Sequence, residues 1–506
     1  MMKKILLLSA AVILLVSFKP VFKKLWESKY IKVNADGSLN YIPDTKGNII
    51  PDFSHVGYYQ GDKEIADVPI IKTVNANENG DSQELLQNAI DEVAKLPLNK
   101  AGFRGTILLK KGMYKIPGTI TITKSGIVLR GEGENATKLV ATGKGQRSLI
   151  VFSGDGNLKE TAGTKVQIQN KFVPVGTFSF TVSDASKFKA GDDIVVYRPG
   201  TTQWIKDLQM DQIEARDGTK QWQPNEYNLQ FERQITKIEG NKITIDNPIV
   251  MEMEQKYGGA EIFKASFDGR INDVGIENMF IESEYATDID EDHGWVAVEF
   301  SKVKNAWVRN ITTRYFGYAA VSIKSNSKQI TVKDSKCLDA KSIITGGRRY
   351  SFNNDGQLNL FMNLESTEAR HDYVTGAKTL GPNVFYNCKA TKTHADIGPH
   401  HRWAVGTLFD NITTDGEINV QDRGNWGSGH GWAGVTQVLW NCKVKRAAVQ
   451  NPWAGGQNYS FGTQGGKYEG RLKGRPDGIW ENQNQSGIQP KSLYLAQLQS
   501  RKKANK

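Results

Sequence analysis

The chain is poor in cysteine and histidine, and beyond its first twenty residues no apolar stretch is long enough to cross a membrane. Three cysteines in 506 residues (Cys337, Cys388 and Cys442) exclude a disulfide framework, and an odd count leaves at least one thiol free. All three lie in apolar, strand-like segments and read as small buried hydrophobes. Hydrophobic residues make up only 39%, while glycine is plentiful at 50 and proline ordinary at 15. That mixture excludes a helical bundle and suits many short strands joined by turns. The one apolar run, Ile5 to Phe18, is shorter than the roughly 20 residues a span requires. Behind Lys3 and Lys4 it reads as a secretory signal, although no small-x-small cleavage site follows it cleanly and no cysteine stands near for lipid attachment. Residues 1–24 are therefore expected to be a signal peptide or N-terminal anchor. The protein is expected to be exported, to the periplasm or cell surface, with no stable membrane span unless the signal stays uncleaved.

Lysine and arginine exceed aspartate and glutamate by 65 to 54, a formal charge of +11. A basic surface suits nucleic acid, a membrane or an acidic polymer. Export removes nucleic acid, which leaves an anionic polysaccharide or oligosaccharide as the partner. Eleven Trp and 17 Tyr are a generous supply of rings for a sugar-binding surface, though most are expected in the core.

Residues 82–94 place Leu85, Leu86, Ala89, Ile90, Val93 and Ala94 on a helix face, capped by Asp81 or Ser82. The period then changes to two, as in Thr119-Ile-Thr-Ile-Thr and Gly126-Ile-Val-Leu-Arg. From about residue 271 an apolar residue, a variable one and then Asn or Asp recurs, at Asn278, Asn310, Asp334, Asn363, Asn387, Asn411 and Asn441. The intervals are 32, 24, 29, 24, 24 and 30. Repetition at this period without intervening helices indicates an all-β solenoid, a parallel β-helix whose coils lie about 4.8 Å apart. The asparagines are structural and form a ladder along one turn. The expected organisation is an N-terminal cap with the first coils over 25–164, an inserted β-subdomain over 165–260 around Trp204, Trp222 and Tyr227, the main coils with the groove over 261–480, and a C-terminal tail over 481–506 whose last residues, Arg501 to Lys506, form a solvated end.

Six of seven histidines (His293, His371, His394, His400, His401 and His430) fall in the repeat region, and His55 alone lies outside it. Arg370-His371-Asp372 and His394-Ala395-Asp396 stand 24 residues apart, one coil by the repeat, and the second runs on to His400-His401-Arg402-Trp403. Stacking at 24 also puts Arg402 over Trp426 and His401 over Asn425. Arg423 to Trp432 should then line the same flank. His293, after the acidic run 288–292, reads as loop surface, and that run has the composition of a Ca²⁺ loop. Arg348-Arg349 extends the basic groove or forms a solvated turn.

The helix followed by Gly105-Thr-Ile-Leu-Leu-Lys-Lys-Gly-Met-Tyr and Gly131-Glu-Gly resembles the start of the pectate-lyase-like right-handed β-helix proteins. Asp396 to Trp403 and Arg423 to Trp432 resemble a subgroup of exported carbohydrate-utilisation proteins. The resemblance covers nearly the whole mature chain. It implies a right-handed parallel β-helix and β-elimination on uronate saccharides of the ulvan type, by lyase cleavage or by dehydration of a terminal uronate. Calcium pectate lyases bind metal through clustered carboxylates, and no such set maps here. Polygalacturonases carry Gly-His-Gly before Arg-Ile-Lys, after paired aspartates; here Gly429-His430-Gly431 continues Trp-Ala-Gly and the pair is missing.

The residue types fit elimination. An arginine grips the uronate carboxylate and makes the C5 proton acidic. A histidine removes that proton, and an acid protonates the C4 oxygen. The candidates are Arg370, Arg402 or Arg423 as clamp, His371 or His401 as base, and His394, His430 or Tyr373 as acid. Asp372 and Asp396 would orient histidines, with His400, Trp403 and Trp426 completing a substrate surface. No cofactor is firmly implied, and a divalent metal is left open. His394, Asp396, His400 and His401 are ligand types for a divalent metal, at no standard spacing. Two rival readings are a glycoside hydrolase using Asp372 and Asp396, and a non-catalytic carbohydrate-binding β-helix.

Overall fold

A computed structural model describes residues 25–77 and 80–504, so the signal or anchor expected over 1–24 lies outside the described residues. The repeat builds the molecule. Each apolar residue before the recurring Asn or Asp pairs in parallel register with its counterpart one coil on: Ile276 with Val308, then Val332, Phe361, Phe385, Phe409 and Leu439. All seven are fully buried. Phe361, Phe385 and Phe409 stack with centroids 4.6 and 5.5 Å apart. Burying one such side chain is worth roughly 1.5–3 kcal/mol, so the column is a strong reason for the chain to wind at this interval. Twenty-seven strands join one hydrogen-bonded system, a parallel β-helix.

The Asn or Asp two residues beyond each column residue takes φ between 50 and 60°. This left-handed region is costly for most side chains and cheapest, after glycine, for Asn and Asp. Their amides bridge the coils: Asn310 donates to Asn278 at 3.0 Å, Asn363 to Asp334 at 2.9 Å, Asn387 to Asn363 at 2.7 Å and Asn441 to Asn411 at 2.8 Å. The ladder expected from the repeat is present.

Helix α1 (Gln83–Ala94) covers the first coils with Leu86, Ala89, Ile90 and Val93. Asp81 accepts from the Gln83 N–H at 3.1 Å, whereas Ser82, at the N-cap, makes no capping bond with its side chain. Ile70–Val74, just before it, pairs in parallel with Gly105–Leu109 as part of the first coil, whereas residues 25–53 do not cap that end. Trp26–Glu27 pairs with Ile488–Gln489, and Ile31, Ile50 and Phe53 pack on Leu408, Val438 and Phe461. This segment covers apolar surface along the flank of the later coils.

A seven-stranded antiparallel sheet occupies Lys159 to Ser266, wider than 165–260 because Lys159–Glu160 pairs with Ala265–Ser266 and closes it. Its core, with Trp204, Trp222 and Tyr227, continues into Trp403, Val405, Trp432 and Val435 of the coils. The sheet is thus clamped onto the segment that carries the histidines. The tail is helical, and of its solvated end Lys502 to Ala504 are exposed as expected while Arg501 packs against Asp62 and the backbone of Ser54 and Gln60. Residues Leu493–Ala504 form helix α2, whose Leu493 and Tyr494 are buried. Gln497 bonds Phe53 N and Pro51 O at 2.9 and 2.8 Å, and Asp410 accepts from Ser492 and Tyr494 at 2.7 and 2.8 Å. These partners of Ser492, Tyr494 and Gln497 lie far away in sequence, which is why residue order alone does not reveal the helix. No helix among the described residues is long and apolar enough to cross a membrane.

Candidate active site

Three short strands in successive coils carry the site: β1 (Tyr350–Asn354), β2 (His371–Thr375) and β3 (Asp396–Pro399). Tyr350 pairs with His371, and Val374 with Gly398, so the 24-residue offset between the two polar clusters holds. Their side chains nevertheless part company. His371 turns toward β3, its Nδ1 donating to Asp396 O at 2.6 Å. Asp372 turns inward and is fully buried near Cys337 and Ser366, where burial pushes its carboxyl up to about 7. It orients no histidine and meets no substrate. Tyr373 is a core residue too, its ring 5.8 and 5.9 Å from Phe352 and Phe385 and its hydroxyl donating to Lys389 O at 2.6 Å. It joins the aromatic column and is no acid.

The stacking of Arg402 on Trp426 and His401 on Asn425 does not form. Arg402 N donates to His430 O and Trp403 N to Trp432 O, both at 3.0 Å, because the segment between Asp422 and Trp432 closes into a loop of its own. This brings His430 to His401. Arg402 and Trp403 are consecutive left-handed residues, φ 51 and 69°. The turn leaves His400 and His401 on the outer side and sends Trp403 under the antiparallel sheet. Trp403 is fully buried there, 4.9 Å from Trp204, with Nε1 3.4 Å from Met251 Sδ. It anchors the sheet and binds no sugar.

Four imidazoles and one phenol form the centre. His400 lies 4.6 Å from His371, 4.9 Å from His401 and 5.0 Å from His430, ring centre to ring centre, and His401 lies 4.9 Å from His430. Tyr350 Oη is 3.0 Å from His400 Nε2, and His400 Nδ1 is 2.9 Å from His401 Nδ1. These contacts form a hydrogen-bonded wire that ends on His401 Nε2. Sequence reasoning missed Tyr350. Its signal is the 21-residue step from Tyr350 to His371, which a 24-residue interval does not pick out.

The environment keeps these histidines uncharged. Burial first, then the neighbouring imidazoles and Arg423, lowers His400 well below the ordinary range and holds His430 at about 3; burial holds His371 at about 4 against the opposing pull of Asp396, and His401 at about 4. For His401 the leading cation is Arg402, followed by Arg423 and Lys378. Asp396 is opposed by burial, but Arg423, at 2.6 Å, and His371 hold its carboxyl below the usual range. The Arg423 side chain is almost wholly buried, so its charge is fixed rather than free. Arg402 is partly exposed, bonding Ser428 O at 2.7 Å and lying 3.7 Å from Glu226. Arg370 is partly exposed, bonds Gly346 O, and reaches Tyr350.

His394 stands apart, exposed and 2.9 Å from Glu368, so the metal set read from sequence does not assemble. Among the described residues no three His, Cys, Asp or Glu converge as metal ligands. His293 is buried, bonded to Ser283 and Lys341 O at 3.0 and 2.9 Å, and is structural rather than loop surface. Arg348 pairs with Glu291 at 2.6 Å, and Arg349 is buried on backbone carbonyls. Beside Asp396 opens a cavity of about 480 Å³ lined by Trp426, Arg471, Tyr468, Lys445, Arg446 and His394. Trp426 is held between Arg423 and Arg471, 4.9 and 4.6 Å from its ring centre.

No protein-family model and no curated protein matches the chain. Solved structures do. Geobacillus virus E2 ORF18 is 14% identical, TM-score 0.37, over 81% of this chain and 59% of that one. The catalytic domain of GH87 α-1,3-glucanase in complex with nigerose is 11% identical, TM-score 0.39, over 84% and 68%. Alginate lyase from Paenibacillus sp. str. FPU-7 is 9% identical, TM-score 0.37, over 82% and 99%. The likeness is one of fold. At these values it says nothing about reaction, and the chemistry must come from the site.

Proposed function

We propose that the protein is a carbohydrate-active lyase that performs β-elimination on uronate-containing saccharides, with His401 as the base. The observation that carries this reading is a partly exposed imidazole that is uncharged, backed by a hydrogen-bonded wire and flanked by arginine. When Tyr350 Oη accepts from His400 Nε2–H, His400 Nδ1 accepts from His401 Nδ1–H, and the His401 Nε2 lone pair faces outward. The substrate carboxylate lies on Arg402, which makes the C5 proton acidic by drawing charge from the developing enolate. His401 Nε2 takes the proton, the C5–H electrons form the C4=C5 double bond, and the C4–O bond breaks toward oxygen. The imidazolium returns its proton to that oxygen. A glycosidic leaving group gives lyase cleavage; a free hydroxyl gives water, a dehydration.

The low basicity of His401 in the free protein fits this scheme. Part of the depression comes from Arg402 and Arg423. A carboxylate seated on Arg402 offsets that charge and moves the imidazole back toward its ordinary value near 6.5, where proton transfer at neutral pH is efficient. Hydrolysis by two carboxyl groups is less well supported. Asp372 faces the core, and Asp396 and Asp415 are both held in the ionised range, so neither offers the proton a general acid must carry. The finer assignment, to ulvan-type uronates, rests on the sequence resemblance.

The test is incubation with uronate polysaccharides and short uronate-terminated oligosaccharides, following the ultraviolet absorbance of the new double bond. Absorbance with chain shortening establishes a lyase, and absorbance without it a dehydratase. New reducing ends without absorbance would overturn elimination in favour of hydrolysis.

A further inference from the structure

Another cavity lies elsewhere and shares no residue with the histidine cluster. It encloses about 680 Å³ between the segment His55 to Lys63, the antiparallel sheet and the starts of two coil strands. This is within the roughly 300–1,000 Å³ range of ligand sites. Its charges divide sharply into committed and free. Asp62 is held by Arg501 at 2.7 Å, Asp246 by Gln60 at 2.7 Å and Gln234 N at 2.8 Å, and Glu232 by Arg270 and Lys328, each at 2.7 Å. Arg233 is buried on carbonyl oxygens.

Two cations remain. Lys304 makes no hydrogen bond or ion pair among the described residues, and Lys63 only lies over the Tyr59 ring at 3.8 Å. Asn305 uses its carbonyl oxygen to accept from Tyr59 N at 3.3 Å, and its amide reaches the Tyr59 hydroxyl with one N–H and keeps a second. The wall itself is strained, with Tyr59 and Gln60 consecutively left-handed at φ 45 and 56°. Such backbone costs about 1–3 kcal/mol per residue and clusters at ligand sites.

Lys304 is also expensive where it stands. It pairs in register with Lys328, and burial first, then Lys328 and Arg270, disfavour its charge, offset in part by Asp193 and Glu232. A half-buried cation with no hydrogen-bonded or ion-paired partner among the described residues is poised to take an anion. We propose that this cavity is a second saccharide site, in which Lys304 and Lys63 hold a carboxylate- or sulfate-bearing sugar unit and the Asn305 amide takes a hydroxyl. The choice of an acidic sugar rests on the elimination reading; the free cations stand without it. A second site on the same rigid solenoid would hold a long polymer while the histidine cluster acts on another unit.

The test uses the full chain. The His401→Ala variant, which binds without turnover, is titrated calorimetrically with oligogalacturonate, with dextran sulfate oligomers as the sulfated probe and a maltooligosaccharide as the neutral control. Two classes of site for an acidic probe are expected, one of them weakened about tenfold or more by adding Lys304→Met. In the otherwise unaltered chain, Lys304→Met should raise KM for polymer by a similar factor and leave kcat on a disaccharide unchanged. Because the substitution removes repulsion, the melting temperature should hold or rise, so lost binding is not lost folding. A single class of site that Lys304→Met leaves intact, or unchanged KM on polymer, overturns the second site and leaves elimination standing. Loss of a binding class in a protein that yields no ultraviolet product upholds the second site and removes the elimination reading.

Discussion

The column from Ile276 to Leu439 and the outward turn at His400 to Trp403 are built on opposite principles. In the column every coil repeats the last: apolar residue over apolar residue, Asn over Asn or Asp. At the turn nothing repeats. Two left-handed residues follow one another, the step to the next coil lengthens to accommodate the loop Asp422 to Trp432, and histidines from three segments converge. Repetition suits burial, since identical neighbours pack well. Chemistry needs unlike groups side by side, and the chain obtains them where its register departs from the repeat.

Four substitutions would break or sharpen this contrast. The largest effect is expected at Arg423→Met, which leaves Asp396 buried without its partner. Removing one member of such a pair costs about 3–5 kcal/mol, read as a shift in chemical denaturation. Adding Asp396→Leu should restore most of that loss. Next comes Asp372→Asn on the column side. The folded protein favours the protonated Asp372 carboxyl, so the stability it contributes is present at acid pH and lost as pH rises from its ordinary range through about 7. Asp372→Asn should flatten the fall in melting temperature between pH 5 and 8. Neighbouring His371, held neutral with its value near 4, has the opposite sign: its contribution is present above about 6.5 and lost as pH falls toward 4.

Asn387→Ala tests the ladder. It forces an alanine into the left-handed region at about 1–2 kcal/mol and removes a coil-to-coil bond worth about 1 kcal/mol. Asn387→Gly separates the two, since glycine pays little for the backbone and should lose mainly the bond. The smallest effect is expected for Tyr350→Phe. It removes the end of the wire without touching substrate, so turnover should fall about tenfold, roughly the worth of one hydrogen bond, with KM nearly unchanged.

The column could be read from residue order because it is periodic. Each Asn marks a turn, and the residue two before it marks the buried column. The candidate site was legible only in part. The interval of 24 brings the two polar clusters together but sets Asp372 over Asp396, and spacing alone does not say which way a side chain faces: His371 meets Asp396, while Asp372, Tyr373 and Trp403 go to the core. Tyr350 and the approach of His430 to His401 depend on steps other than 24, set by loops whose closure is a tertiary matter. Helix α2 went unread because its hold on the molecule lies in Asp410, Pro51 and Phe53, remote in sequence.

The most direct test compares His401→Ala with Asp372→Asn in the ultraviolet assay on a uronate oligosaccharide that the unaltered protein turns over. The account predicts a loss of about 10²–10⁴-fold for His401→Ala, with unchanged melting, and near-normal turnover for Asp372→Asn at the same pH. Turnover by His401→Ala within a few-fold of the unaltered protein, or loss in Asp372→Asn while it remains folded, would contradict it.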